Sequence, residues 1–367
     1  MRIAEIPLVR DLFEGFYGSN YCEVEDTYFR WLHRENPDLG PTVGDDEVTA
    51  FGCFDGKDLV ACINYVPFKL FVGGESVSAC WSVGWRSKPG HGSLTGLQLR
   101  KHLRKFDVYM SMGATDWVRS IYQSRFGFEY CNNIERFLAV IDPQACFELL
   151  GRNRCLAEAD RSSLAELGAK SDQAQSTSFF ESQWDSLANE CYWSDHLSRT
   201  SATCSRRFEW LKWRYKDHPH LKYVPISADQ DSATGVAFVR VEQIRDLDFR
   251  VLRVLDFLPT SGSEAELASA IVAYGFQVGA SFVDFFCSST SVADGLGEAF
   301  FRGSVRRDLD FPRLFFPLEW RERWSINASL RDNRNSPESL KLSDVYFTKA
   351  DPSQDILLNR EYVTKGL

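Results

Sequence analysis

The chain has 367 residues, of which 44% are hydrophobic and 14% aromatic, enough to fill two cores, so two domains are the first expectation. A net charge of -9 and a pI near 5.3 argue against nucleic acid or an anionic membrane as the main partner, since either calls for a basic face. The N-terminal string MRIAEIPLVRDLFEGFYG lacks the basic segment, apolar run and cleavage site of a leader, and no apolar stretch reaches spanning length; this reads as a cytoplasmic protein.

The first predicted element is YFRWLHRENP at 28–37, an amphipathic aromatic helix that stops at Asn36-Pro37. Residues 47–65 read as two strands around the turn Asp55-Gly56, and 68–85 as a second hairpin around Gly73-Gly74. A glycine-containing turn at 86–92 then opens an amphipathic helix that runs to 105. Residues 106–112 read as a buried strand, followed by a turn and a helix that carries Tyr122 and ends in Phe126-Gly127-Phe128. Residues 151–178 hold no aromatic residue and are rich in Ala, Ser, Gln and charge, the composition of a linker with room for one surface helix.

Beyond the linker the themes return. RFEWLKWRYKDHP at 207–219 echoes the first helix, and 281–303 echoes 106–127, with an offset of about 175 to 179 residues for the pairs Phe29/Phe208 and Thr115/Thr290. The expectation is an α/β chain of two tandem units, each a mostly antiparallel mixed sheet flanked by helices: 1–150, a linker at 151–178, and 179–367. The ten cysteines stand singly, without CxxC pairs, and the six histidines lack ligand spacing, so reduced core thiols and no metal are expected.

A strand, a Gly-rich turn and a helix N-terminus together present backbone N–H groups to a phosphate, here from Gly90, His91, Gly92, Ser93, Leu94 and Thr95. This loop, followed by the 106–112 strand and the Tyr122 helix, resembles the GNAT superfamily of CoA-dependent N-acyltransferases. The resemblance implies acyl-CoA as co-substrate, held by Val83, Gly84, Trp85 and Arg86, by the loop, and by Thr115, in a gap where the 106–112 strand splays from its neighbour. It also implies Tyr122 as the acid that protonates the departing thiolate. The family's basic residue three positions before the first loop glycine is Ser87 here, flanked by Arg86 and Lys88.

No carboxylate stands at Cys80, Trp81 or Ser82, so the base is left between His91, Asp256 and a water chain. Trp210, Arg214 and Tyr215 are candidates to stack and grip a nucleotide acceptor. The second unit, with a single Gly262 and with Glu264 at its helix start, is not expected to bind CoA. Chains of this length with two such units look similar to bacterial acyltransferases acting on nucleotide-linked (dTDP- or UDP-) amino sugars for surface polysaccharide, as monomer or homodimer. A Fem-type aminoacyl transferase and a non-catalytic binding module are the alternatives.

Overall fold

Both glycine turns form hairpins. In the computed structural model, β1 (Ala50–Asp55) pairs antiparallel with β2 (Asp58–Val72), and β2 pairs with β3 (Glu75–Ser87). Gly73 and Gly74 both take positive φ, 57° and 87°, which a two-residue turn between twisted strands requires. The structure describes residues 1–17, 25–40, 43–92, 96, 99, 101–244, 247–289, 295–306, 308–312, 314–315, 318–319 and 326–352.

Helices α1 (Ile6–Tyr17) and α2 (Asp26–Arg34) precede the sheet; β4 (Val108–Met112), α3 (Asp116–Phe126) and β5 (Glu129–Val140) complete the first half. Thr115 caps α3 by accepting the Val118 N–H, and Gly127 ends it in the left-handed region. α4 (Pro143–Gly151) and α5 (Glu158–Asp172) follow. The segment expected as a linker is therefore partly a packed helix: Leu164 and Leu167 of α5 are buried with Leu149 and Leu150 of α4. A stretch without aromatic residues thus still forms a buried helix contact, through Leu164 and Leu167.

The second half contributes β6 (Phe180–Glu181), α6 (Cys191–Arg199), β7 (Ala202–Cys204), α7 (Phe208–Leu211), β8 (Val224–Ser227), β9 (Gly235–Ile244), β10 (Phe249–Pro259), α8 (Glu264–Gln277) and β11 (Phe282–Cys287). Short strands β12 (Phe301–Arg302), β13 (Leu314–Phe315) and β14 (Leu318–Glu319) lead to β15 (Ile326–Asp332) and β16 (Val345–Tyr346). The strands form one mixed sheet in the order β16-β7-β2-β3-β4-β15-β5-β11-β10-β9-β8-β6. β15, from the far end of the sequence, lies between β4 and β5, and β5 lies against β11. Each half thus completes the other's sheet.

The duplication is visible in the ladders. β3 and β4 run parallel through four pairs, Ala79–Val108 to Ser82–Ser111; β10 and β11 do the same from Val251–Phe282 to Val254–Phe285. Immediately after the last pair each long strand carries a β-bulge, Val83 in β3 and Leu255 in β10, where the antiparallel partner skips one residue. Thr290, one of the echoes in the sequence, lies outside the described residues.

Candidate active site

β3 continues to Ser87 after its pairing with β4 stops at Ser82–Ser111, so a gap opens between the two strands. The bulge at Val83 resets the alternation of side chains. Asn64 faces Gly84 and Ile63 faces Trp85, which turns Trp85 to the same side as Cys80 and Ser82. Gly84 lies on the other face, where a Cβ would meet the Phe13 ring at 3.1 Å and the ring would have to shift.

On the Trp85 side lies a cleft of about 860 Å³. Trp85, Leu103, Trp117, Ile121 and Phe126 form its apolar wall, Gly92 and Gly96 line the helix that follows the glycine turn, and Arg104, Arg125 and Arg331 supply positive charge. Trp117, Ile121 and Arg125 recur at i, i+4 and i+8 along α3, one face of the helix. Arg331 arrives on β15; its Nε donates to Asn333 Oδ1 at 2.7 Å and its guanidinium donates to the Phe126 carbonyl. Three guanidinium groups over an apolar floor suit a ligand with phosphates at one end and a slender apolar stem.

The glycine turn precedes this cleft as the sequence predicts. Gly90 has φ +85°, and the His91 N–H bonds the Lys88 carbonyl at 3.1 Å. Gly92, Gly96, Leu99, Lys101 and His102 are helical; Ser93, Leu94 and Thr95 lie outside the described residues. Arg86 is half-buried, and burial lowers its pKa. The Thr115 hydroxyl is taken up as the α3 cap.

Tyr122 stands at the vertex of the gap. It is 2% exposed, its ring lies 4.5 Å from that of Phe128 and 6.0 Å from that of Trp85, and its hydroxyl donates to Ser82 Oγ at 3.4 Å. Burial pushes the phenol up to about 12, with the Ser82 and Ser111 hydroxyls opposing the rise, so the group holds its proton at neutral pH. Trp85 lies against the cleft on one side and Tyr122 on the other, separating the phenol from the open space.

The other expected residues are elsewhere. Asp256 does not join Tyr122: it is wholly buried in a different cluster, ion-paired with Arg206 and accepting hydrogen bonds from Tyr346 at 2.7 Å and Tyr215 at 3.2 Å. Burial raises its pKa to about 6 against the lowering pull of Arg206. Arg206 also makes a two-pronged contact with Asp351, at 2.8 and 2.7 Å. This is a closed ion cluster without solvent access, and the strand-end position that suggested a base is in fact core.

Trp210, Arg214 and Tyr215 are likewise corrected from acceptor grip to core, at 3%, 0% and 1% exposure. The cause is a π-helical turn at Lys212–Lys216, closed by the Asp217 N–H to Lys212 carbonyl bond. The wider turn brings Trp213, Arg214 and Tyr215 inward together, where a regular helix would spread them. Arg214 Nε donates to the Ala350 carbonyl at 2.8 Å, and Tyr215 stacks on Phe238 at 4.4 Å.

The second gap is filled by the chain itself. Past the bulge at Leu255, the Phe257 N–H donates to the Tyr346 hydroxyl at 3.3 Å, and Cys287 of β11 bridges to Thr348. Phe257 matches Trp85 in the repeat, so the backbone position that borders open space in the first gap is capped by a phenol in the second. Glu264, in the first turn of α8, is held by Arg199 at 2.8 Å.

The sequence reading missed Arg104, Trp117, Ile121, Arg125 and Arg331. The 117/121/125 spacing was a usable signal; Arg331 had none, because only strand order brings it to the cleft. Among the described residues no group of His, Cys, Asp and Glu is arranged to hold a metal ion, and no helix is long and apolar enough to cross a membrane.

No sequence-family profile and no curated protein matches this chain. Solved structures do. A GCN5-related N-acetyltransferase from Anabaena variabilis superposes with a TM-score of 0.52 at 12% identity, over 90% of this chain and 71% of that one. A conserved protein of unknown function from Enterococcus faecalis gives 0.49 at 10% identity, over 77% of this chain and 63% of its own length. Saccharomyces cerevisiae N-myristoyltransferase with bound myristoyl-CoA gives 0.45 at 12%, over 77% and 69%. The fold is that of the GCN5-related acetyltransferases: a large mixed sheet flanked by helices, matching the Anabaena protein along most of this chain.

Proposed function

We propose that the chain is an N-acyltransferase that moves an acyl group from acyl-CoA to a primary amine. The observation that carries this reading is the first gap: a parallel ladder that ends at Ser82–Ser111, a bulge at Val83 and an apolar cleft with three arginines. The diphosphate would sit at the helix start near Gly90 and Gly92, the pantetheine stem along Trp85, and the thioester carbonyl against the backbone of Val83 to Trp85. Tyr122 gives its proton to the thiolate; entry of the stem requires the Trp85 ring to turn aside from it.

Among the described residues no carboxylate or imidazole lines the cleft, which favours water, over His91 and Asp256, as the route for the amine's proton. The acceptor is read as a nucleotide-linked amino sugar. Motif order alone supports that choice, since the three residues expected to grip the nucleotide are core. Mass spectrometry after incubation with a panel of acyl-CoAs and amines tests both parts. An acylated amino-sugar nucleotide is the expected product; acylation of other amines only would overturn the acceptor, and no acylation of any amine would overturn the activity.

A further inference from the structure

The cleft carries more positive charge than a diphosphate at the glycine turn calls for. Between Ser76 and Phe106 the sequence holds six Lys and Arg and no Asp or Glu, in a chain whose net charge is -9. Partly exposed arginines elsewhere find carboxylates: Arg10 with Asp26, Arg119 with Asp116 and Arg306 with Asp308, at 3.1, 3.1 and 2.9 Å. Arg104 and Arg125 are exposed at the cleft, and among the described residues neither makes an ion pair or a hydrogen bond. Like charges that converge on one cleft repel one another, and a bound anion relieves them.

Arg331, the third cation, is built into the wall. Its Nε donates to Asn333 Oδ1 at 2.7 Å, and Asn333 Nδ2 donates to the Leu103 and Phe106 carbonyls at 2.6 and 3.0 Å, just past the first cleft helix. The guanidinium also donates to the Phe126 carbonyl at the end of α3. One side chain from β15 thus ties together the C-terminal ends of both helices that wall the cleft. A guanidinium fixed in this way grips phosphate oxygens with little further loss of side-chain freedom.

The arginines lie apart from the glycine turn. Gly92 and Trp117 stand at the N-terminal ends of the two helices, Arg104 and Arg125 at their C-terminal ends. Trp117 and Arg125 are separated by about 12 Å of helix rise, which the arginine shortens because helical side chains lean toward the N-terminus. Trp117 is 65% exposed on the cleft wall, an uncovered indole face between the two ends. A nucleoside fits this interval, its base on the indole, with the diphosphate on one side and a further phosphate at the arginines.

We propose that Arg104, Arg125 and Arg331 form a clamp for the 3′-phosphate of the donor's adenosine, with Trp117 under the adenine, so that the chain selects CoA over dephospho-CoA. The inference rests on the acyl-CoA reading above and adds to it a requirement for a phosphate remote from the thioester. It also gives the second half of the sequence a part in donor binding, through Arg331.

Calorimetry on the full chain with CoA, dephospho-CoA and adenosine 3′,5′-bisphosphate tests it. Wild type should bind CoA at least about tenfold more tightly than dephospho-CoA, a preference that shrinks with salt, and should bind the bisphosphate, which has no pantetheine. The double variant Arg104→Gln, Arg125→Gln changes only exposed side chains. It should lose about tenfold in CoA affinity and keep its affinity for dephospho-CoA. Arg331→Gln should narrow the ratio of the two affinities in the same way, which a general loosening of the cleft would not do. Trp117→Ala should weaken the bisphosphate; unchanged binding there would take the adenine off Trp117. Equal wild-type affinity for CoA and dephospho-CoA would overturn the clamp, as would a parallel loss for both ligands in the double variant. A chain that keeps the preference yet acylates no amine would overturn the functional reading alone, and one that binds none of the three ligands would overturn both.

Discussion

Trp31 and Trp213 exchange hydrogen bonds: each indole N–H donates to the other's backbone carbonyl at 3.1 Å, with the rings stacked 4.9 Å apart. One belongs to the helix near the N-terminus and the other to its echo in the second half, so this buried contact ties the two halves of the sequence together. Trp213→Phe keeps most of the stack but removes a donor and leaves the Trp31 carbonyl unpaired, which should cost about 1–3 kcal/mol. Urea unfolding should show one transition at a lower midpoint; two separated transitions would mean that the halves are not cooperatively joined.

The two gaps should differ in ligand binding. The first is open and the second is closed by Tyr346 and Thr348, so calorimetry with CoA should give one site per chain. Gly92→Glu should weaken that site at least tenfold, because a carboxylate would face the diphosphate. A Cβ at position 92 meets only Ser87 Oγ at 3.8 Å, so the variant should fold normally. Unchanged affinity in the folded variant would move the site away from the glycine turn.

Arg206→Met would leave Asp256 and Asp351 buried without their shared cation, a loss of about 3–5 kcal/mol at neutral pH. The folded-state pKa of Asp256, about 6, is above its ordinary value, so the folded chain takes up this proton first as pH falls. Stability from this group therefore rises as pH drops from about 6 toward the ordinary carboxylate value. The deficit of the variant against wild type should narrow between pH 7.5 and 5.5 in denaturant titrations; a constant deficit would deny the coupling.

His102 behaves in the opposite sense. Enclosed by Phe51, Tyr65, Phe106 and Tyr109, it makes no hydrogen bond through either ring nitrogen among the described residues, and burial lowers its pKa to about 3. Only the unfolded chain takes the proton below pH 6.5, so stability is lost as pH falls from 6.5 toward 3. At pH 5 the cost is about 2 kcal/mol. His102→Leu should lose about that much less than wild type on going from pH 7.5 to 5; an identical pH dependence would place the titration elsewhere.

Short-range signals carried much of this architecture. The turns Asp55-Gly56 and Gly73-Gly74 have one economical backbone solution, and the string from 106 to 128 contains its own strand, cap, helix and left-handed stop. The four-pair ladders and their bulges agree with a duplicated unit. Long-range pairing was not legible: nothing in INASLRD at 326–332 says that it lies between β4 and β5, and so nothing pointed to Arg331. Asp256 looked like a strand-end carboxylate because its partners, Arg206, Tyr346 and Asp351, are distant in sequence. The helix at 208–211 was read with regular periodicity, and the π-helical turn after it changed which side chains face inward.

The late strand also shapes how the chain is made. Residues 326–332 leave the ribosome roughly 10 to 40 s after β5, at about 5–20 residues per second. Throughout that interval β4 and β5 cannot have the neighbour they have in the finished sheet, and each presents a row of unpaired amides and carbonyls to any passing strand. A nascent chain halted before β15 carries the glycine turn and Tyr122 yet lacks Arg331. The half that carries the open cleft thus becomes complete only when the other half has been synthesised, and holding those two edges apart from other chains is a natural task for a chaperone.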